Sequence, residues 1–166
     1  MGRGGSRYGA GRPGWRRKCE HSLPLDIRAL HRRGRLVPGT SFSWSWTRDG
    51  EPYGNISLAS RENSVQLWYM WTPSGREPQR MVYDVCIERT PCQYGGSRPW
   101  FRCPWCKRRC ALLYGVSGDG YFGCRLCLRL AYASEAESPI DRCWRQQRKI
   151  EAKLTEEGER PKGMHR

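Results

Sequence analysis

The sequence predicts a mainly β fold of the α+β class: a small antiparallel four-stranded meander, then a hairpin between two Cys-x-x-Cys knuckles, then one C-terminal helix. Three observations carry this. Apolar and polar residues alternate along several segments between Ser41 and Glu88, four cysteines fall in two pairs with seventeen residues between them, and a capped amphipathic stretch opens at Ser138. The chain of 166 residues suits one domain with small appendages.

Residues 1–18 hold six basic residues, Arg3, Arg7, Arg12, Arg16, Arg17 and Lys18, with no acid and many glycines. Such a composition buries too little apolar surface to offset ordering entropy, so a flexible basic arm is expected. Its stretch GAGRPGWRRK resembles the Gly-Arg-Pro core of an AT-hook. That resemblance implies Arg12 lying in the narrow minor groove of A·T-rich DNA. The fuller hook has a basic residue before the glycine, whereas Ala10 precedes Gly11 here, and a solvated Arg/Gly tail adding nonspecific charge is the alternative.

Residues 19–92 read as a short helix followed by the meander. The helix spans Leu25 to Arg33, closed by Gly34 at C′ and broken at Pro38-Gly39. Phe42, Trp44 and Trp46 then alternate with serines up to the turn Arg48-Asp49-Gly50-Glu51, which puts three aromatic rings on one face. Further strands span Tyr53 to Ala59, Val65 to Trp71 and Arg80 to Glu88, separated by segments rich in turn residues. Filling a small β core is the first use of these rings, but Trp68 lies on the opposite face from Val65, Leu67, Tyr69 and Trp71. It is the ring placed to stack on unpaired bases.

Residues 93–134 contain Cys103-x2-Cys106-x17-Cys124-x2-Cys127, the spacing of a four-cysteine zinc ribbon. Each knuckle directs two thiolates to one point, and two knuckles supply a closed tetrahedral shell with no position left for water or substrate. One structural Zn²⁺ is therefore expected. The segment between them reads as strands Cys110 to Tyr114 and Tyr121 to Gly123 joined by Ser-Gly-Asp-Gly. An iron–sulfur cluster also takes four cysteines, and a redox pair takes two, but a hairpin between paired knuckles favours zinc. Cys19, His21, Cys86 and Cys92 offer donors for a second site without a knuckle spacing to join them; the cysteines outside the four ligands otherwise read as small buried hydrophobes.

Residues 138–155 read as a basic amphipathic helix with Ser138 as N-cap, Pro139 at N1 and Asp141 at N3. Ile140, Cys143, Gln147, Ile150 and Leu154 form one stripe with Trp144 beside it, and Arg142, Arg145 and Lys149 line another face. Residues 156–166 are mixed in charge and poor in apolar side chains, as in a disordered tail.

The formal charge of +14 attracts polyanions, so nucleic acid, DNA first, is the expected partner. Seven basic residues face the single acid Asp119 between Arg98 and Leu130. Neutralising a zinc-tetrathiolate of net charge about −2 accounts for part of that excess, and phosphate contact for the remainder. No apolar run reaches membrane-spanning length and no secretory leader is evident, so neither a membrane partner nor a location outside the cytoplasm, nucleoid included, is expected. The three histidines, His21, His31 and His165, belong to no nucleophile–base spacing. Asp141, Glu151 and Lys153 lie along a predicted helix, whereas a metal-dependent nuclease needs such groups converging from strands.

RTPCQYGGSRPWFRCPWC, RRCALLY and FGCRLCLRLAYASE, together with GRPGW, LDIRALHRRGRLVPG and WTRDGE, resemble a family of uncharacterised bacterial zinc-ribbon proteins of prophages and other mobile elements. The resemblance covers most of the chain. It implies Cys103, Cys106, Cys124 and Cys127 as ligands and no established activity; Cys110 stands where the family commonly has an aliphatic residue, which argues against its being a ligand. The expectation is a non-enzymatic nucleic-acid-binding protein, regulatory and associated with mobile elements, with no small-molecule substrate. Arg12, Arg16, Arg17, Lys107, Arg108, Arg109, Arg142, Arg145 and Lys149 are its phosphate contacts. The alternative is a protein-interaction adaptor docking on transcription, recombination or defence machinery through the aromatic sheet.

Overall fold

A computed structural model describes residues 16–115, 120–152 and 154. The expected basic arm lies almost wholly outside these residues, as do Arg12 and the tail 156–166. Residues 17–131 form one compact unit, and a second unit contains the residues from Tyr132 onward.

The first unit is built on antiparallel pairing, in keeping with the mainly β expectation. Strands β1 (Leu23–Asp26), β2 (Ser41–Arg48), β3 (Glu51–Ser60), β4 (Ser64–Trp71), β5 (Gln79–Pro91), β6 (Ser97–Arg102), β7 (Arg109–Cys110) and β8 (Leu112–Gly115) are joined by one helix, α1 (Ile27–Arg32). Six of them form a single sheet in sequential order, β2 to β7, while β1 pairs with β8 in a two-stranded sheet. The meander thus runs two strands beyond the four expected, because Ser97–Pro91 through Phe101–Ile87 pair β6 with β5, and β7 then pairs with β6.

Local chemistry explains most of the boundaries. Asp49 and Gly50 both have positive φ, 52° and 85°, as a two-residue type I′ hairpin between β2 and β3 requires. The helix is shorter than the span 25–33 read from the sequence, because Leu25 and Asp26 pair with Leu113 and Leu112 as strand. Asp26 then caps α1, its Oδ1 accepting the Arg28 backbone N–H at 2.9 Å. At the other end Gly34 (φ 64°) donates to the His31 carbonyl and Arg35 to that of Leu30, a complete Schellman closure.

The alternation read from the sequence becomes two unlike faces. Ile56, Leu58, Val65, Leu67, Val85, Ile87 and Phe101 point inward and are buried with Leu25, Ile27, Leu30 and Leu113 from β1, α1 and β8, and with Phe122. Trp44 and Trp46 pack at the edge of this cluster, with the Arg33 guanidinium 4.8 Å from the Trp44 ring and the Trp46 indole donating to the Pro24 carbonyl at 2.7 Å. Cys19 is buried beside Tyr114 and Leu130, whereas Cys86, Cys92 and Cys143 are exposed, which corrects their reading as small buried hydrophobes.

Tyr121 to Gly123 does not form the expected strand; only a bridge between Gly123 and Tyr114 remains. The segment is instead clamped to β4 and β5. The Tyr83 hydroxyl accepts the Phe122 N–H at 2.8 Å and lies 2.9 Å from the Tyr69 hydroxyl, which donates to the Gly120 carbonyl. Burial, the largest influence, pushes both phenols up, Tyr69 strongly, so they remain neutral donors and acceptors.

In the second unit, α2 (Pro139–Glu151) has the expected capping box: Ser138 Oγ accepts the Asp141 N–H at 3.2 Å, and Asp141 Oδ2 accepts the Ser138 N–H at 3.3 Å. No described residue of α2 is buried. Among the described residues no helix is long and apolar enough to cross a membrane.

Two glycines separate backbone strain from crowding. Gly34 and Gly120 both have positive φ, but a Cβ on Gly34 meets nothing within 4 Å, whereas one on Gly120 falls 2.7 Å from Cδ2 of the Trp71 indole. Gly34→Ala should cost about 1–2 kcal/mol in urea unfolding, and Gly120→Ala should exceed it by roughly 1–3 kcal/mol. Equal costs would remove the crowding at Trp71 from the account.

Candidate metal centre

The first knuckle grows out of the end of β6. Phe101 is fully buried and Cys103 follows it into the core, after which Cys103 N–H donates to the Arg108 carbonyl and Lys107 N–H to the Cys103 carbonyl. Lys107 closes this tight loop with φ 57°, a left-handed conformation that few side-chain-bearing residues adopt. The second knuckle is a run of turns from residue 125 to 129, with Leu128 N–H donating to the Cys124 carbonyl and Leu130 N–H to that of Arg125. Trp105 ties the two together: its indole lies where a Cβ on Gly123 would approach to 3.0 Å.

The result brings the four expected ligands to one point. All four sulfurs of Cys103, Cys106, Cys124 and Cys127 lie within 4.8 Å of one another. Cys103 Sγ is 3.9 Å from Cys127 Sγ, and Cys106 Sγ is 3.8 Å from Cys124 Sγ. A tetrahedron of sulfurs at the usual metal–thiolate distance of about 2.3 Å has edges of about 3.8 Å. The cysteines are therefore positioned to bind one metal ion. Cys103 and Cys124 are buried and Cys106 and Cys127 exposed, so the site straddles the core and the surface.

The thiols of Cys106, Cys124 and Cys127 are perturbed in different directions. The Arg108 backbone N–H is the main influence drawing Cys106 down to about 7, while burial is the leading influence pushing Cys124 and Cys127 up. Four thiolates this close would repel one another, and a divalent ion held among them would offset that charge. Cys110 stands apart from this set. Burial first, then the neighbouring cysteines, pushes it up to about 12, and its thiol donates to the Phe101 carbonyl at 3.7 Å. Among the described residues this is the only grouping of three or more metal-capable side chains, so Cys19, His21, Cys86 and Cys92 are not brought together.

The basic residues named from the sequence are distributed as follows. Lys107, Arg108 and Arg109 are exposed on and beside the first knuckle, and Arg17 is exposed in the same unit. Arg109 is engaged with Glu88 at 3.4 Å, and the Lys107 ammonium donates to the Pro104 carbonyl at 2.9 Å. In the other unit Arg16, Arg142, Arg145 and Lys149 are exposed, with Arg145 held by Glu137 at 2.9 Å. Asp141 is spent on the N-cap and Glu151 accepts from Gln147 at 2.7 Å, at opposite ends of α2. Sequence reasoning counted Arg98 and Arg102 within the basic patch between Arg98 and Leu130 but did not single out Arg61 or Arg80, which are also exposed; the alternation of β5 was the signal for Arg80.

Searches of protein-family models, of curated proteins and of solved structures find no match to the chain.

The metal centre is tested by elemental analysis of reduced, purified protein. One metal ion per chain is expected. Cys124→Ser should release it and unfold the surrounding segment, because binding energy at a closed site is folding energy. Cys110→Ser should keep it. Two ions per chain would require a second site.

Proposed function

We propose that this chain is a nucleic-acid-binding protein, DNA first, whose four-cysteine site holds one structural zinc ion and which catalyses no reaction itself. Zinc suits a closed four-sulfur shell of this size, since it has no redox role and accepts tetrahedral thiolate coordination. The observation that carries the binding function is the distribution of charge. Arg108, Arg142 and Lys149 project from the two units as exposed cations on a chain of formal charge +14. Such cations release counterions when they meet phosphates. The resemblance to ribbon proteins of mobile elements fits a regulatory role in that setting.

The competing reading, a protein adaptor, draws on α2, where Ile140, Trp144 and Ile150 are exposed along the helix. Salt titration separates the two. Duplex DNA binding followed by fluorescence anisotropy should weaken steeply with salt, with a log–log slope of roughly −4 to −5 if about five phosphates are neutralised. Arg142→Gln with Lys149→Gln should flatten that slope by about 2 and leave the zinc content unchanged. Absence of binding at low salt, with a defined protein partner recovered after nuclease treatment, would favour the adaptor.

A further inference from the structure

The outward face of an antiparallel sheet with one buried side is ordinarily polar. On this sheet the register aligns Ser57, Trp68 and Val82 across β3, β4 and β5, with Met70 and Arg80 paired in the next outward row. Trp68, Val82 and Met70 are 37%, 47% and 64% exposed, while Leu67 between Trp68 and Gln66 is fully buried on the other side. Three large apolar side chains thus stand together on the side turned away from the core. Farther along, Trp100 of β6 lies on the same face, its indole donating to Thr90 Oγ1 at 2.9 Å and its ring 4.4 Å from the Arg98 guanidinium.

The charges around these rings have one sign in excess. Across β4 to β7 the outward carboxylates are Asp84 and Glu88, and both are already matched. Arg61 lies 3.7 Å from Asp84, and Arg102 and Arg109 lie 3.2 Å and 3.4 Å from Glu88. Arg80 and Arg98 add to these, so five arginines face two carboxylates. A flat apolar surface with surplus guanidinium groups complements a chain that offers both exposed π-faces and phosphates. Unpaired nucleotides have both; a duplex hides its base faces, and this face has no projecting helix to enter a groove.

We propose that the outward face of the six-stranded sheet binds single-stranded nucleic acid, with a base stacked on Trp68 over the floor of Val82 and Met70, and phosphates held by Arg80 and Arg98. This rests on the nucleic-acid reading above and gives it a second, distinct surface. Strand spacing and rise put Trp68 and Trp100 roughly 20 Å apart, so one strand of several nucleotides reaches both rings.

The test uses the full, metal-loaded chain with a labelled twelve-nucleotide DNA of mixed sequence, single-stranded and as its duplex, read by fluorescence anisotropy. Trp68→Ala should weaken single-strand binding about tenfold or more, Trp68→Phe should retain most of it, and duplex binding should stay within about twofold. Val82→Glu, a change at an exposed position with no call on the core, should weaken the single strand comparably. This variant keeps the idea testable if Trp68→Ala loses its metal or unfolds. Unchanged single-strand affinity in Val82→Glu and in a folded Trp68→Ala, with loss in the Arg142→Gln, Lys149→Gln variant, would overturn the sheet surface and leave nucleic-acid binding standing. Wild-type protein that binds neither form at low salt would overturn both. Variants that keep single-strand affinity but lose a protein partner recovered after nuclease treatment would reassign the face to that partner.

Discussion

Four sulfurs within 4.8 Å of one another are the constraint on which the first unit depends. Two of them, Cys103 and Cys124, belong to the same buried cluster as Phe101, Leu67 and Leu25. A metal bound there does more than close a surface loop: it fixes the end of β6 against the segment that carries Phe122 into the core. A metal-closed loop there would add its binding energy to that of the apolar cluster. The tyrosine clamp from Tyr69 and Tyr83 to Gly120 and Phe122 acts on the same segment from the opposite direction. A metal at Cys124 would thus complete from one end what the sheet's tyrosines do from the other.

What could be read in advance follows from how local each signal is. The knuckle spacing, the Asp49-Gly50 hairpin, the Gly34 closure and the Ser138 capping box are each written in a few adjacent residues, and all four are present. The alternation of β2 to β5 needed only a period of two. Strand β6 escaped because Ser-Arg-Pro-Trp-Phe-Arg contains a proline and two arginines, a poor strand by composition; its pairing with β5 and its buried Phe101 decide its state. Strand β1 escaped for a related reason. Leu25 and Asp26 continue the helical pattern of α1, and only the long-range partner β8 makes them strand. The reverse error, a strand at Tyr121 to Gly123, arose where long-range hydrogen bonds to tyrosines replaced a ladder that local pattern suggested.

The basic excess divides into charges with structural duties and charges without them. Arg28 is bound to Asp26, Arg33 and Arg35 lie over the Trp44 and Phe42 rings, and Arg48 lies 3.7 Å from the Tyr53 ring centre. Such exposed pairs and cation–π contacts are individually weak. Their guanidinium groups nonetheless keep the edges of an aromatic core wetted on one side and packed on the other. Net charge read from composition says nothing of this division. It is the reason that Arg109 and Arg145, equal in the sequence to Arg108 and Arg142, are engaged with Glu88 and Glu137 once the fold is known.

The metal centre and the outward face are joined through Glu88. Arg102 immediately precedes Cys103, Arg109 opens the strand after the first knuckle, and the two are register partners. Both guanidinium groups reach the same carboxylate on β5. The knuckle is therefore the tip of a hairpin whose two arms are pinned to the sheet by one acidic side chain. The arms are paired and Glu88 is matched on both sides, which leaves Arg80 and Arg98 as the exposed cations of that face. The first knuckle and the outward face thus share one carboxylate, Glu88, which lies on the same strand as Val82.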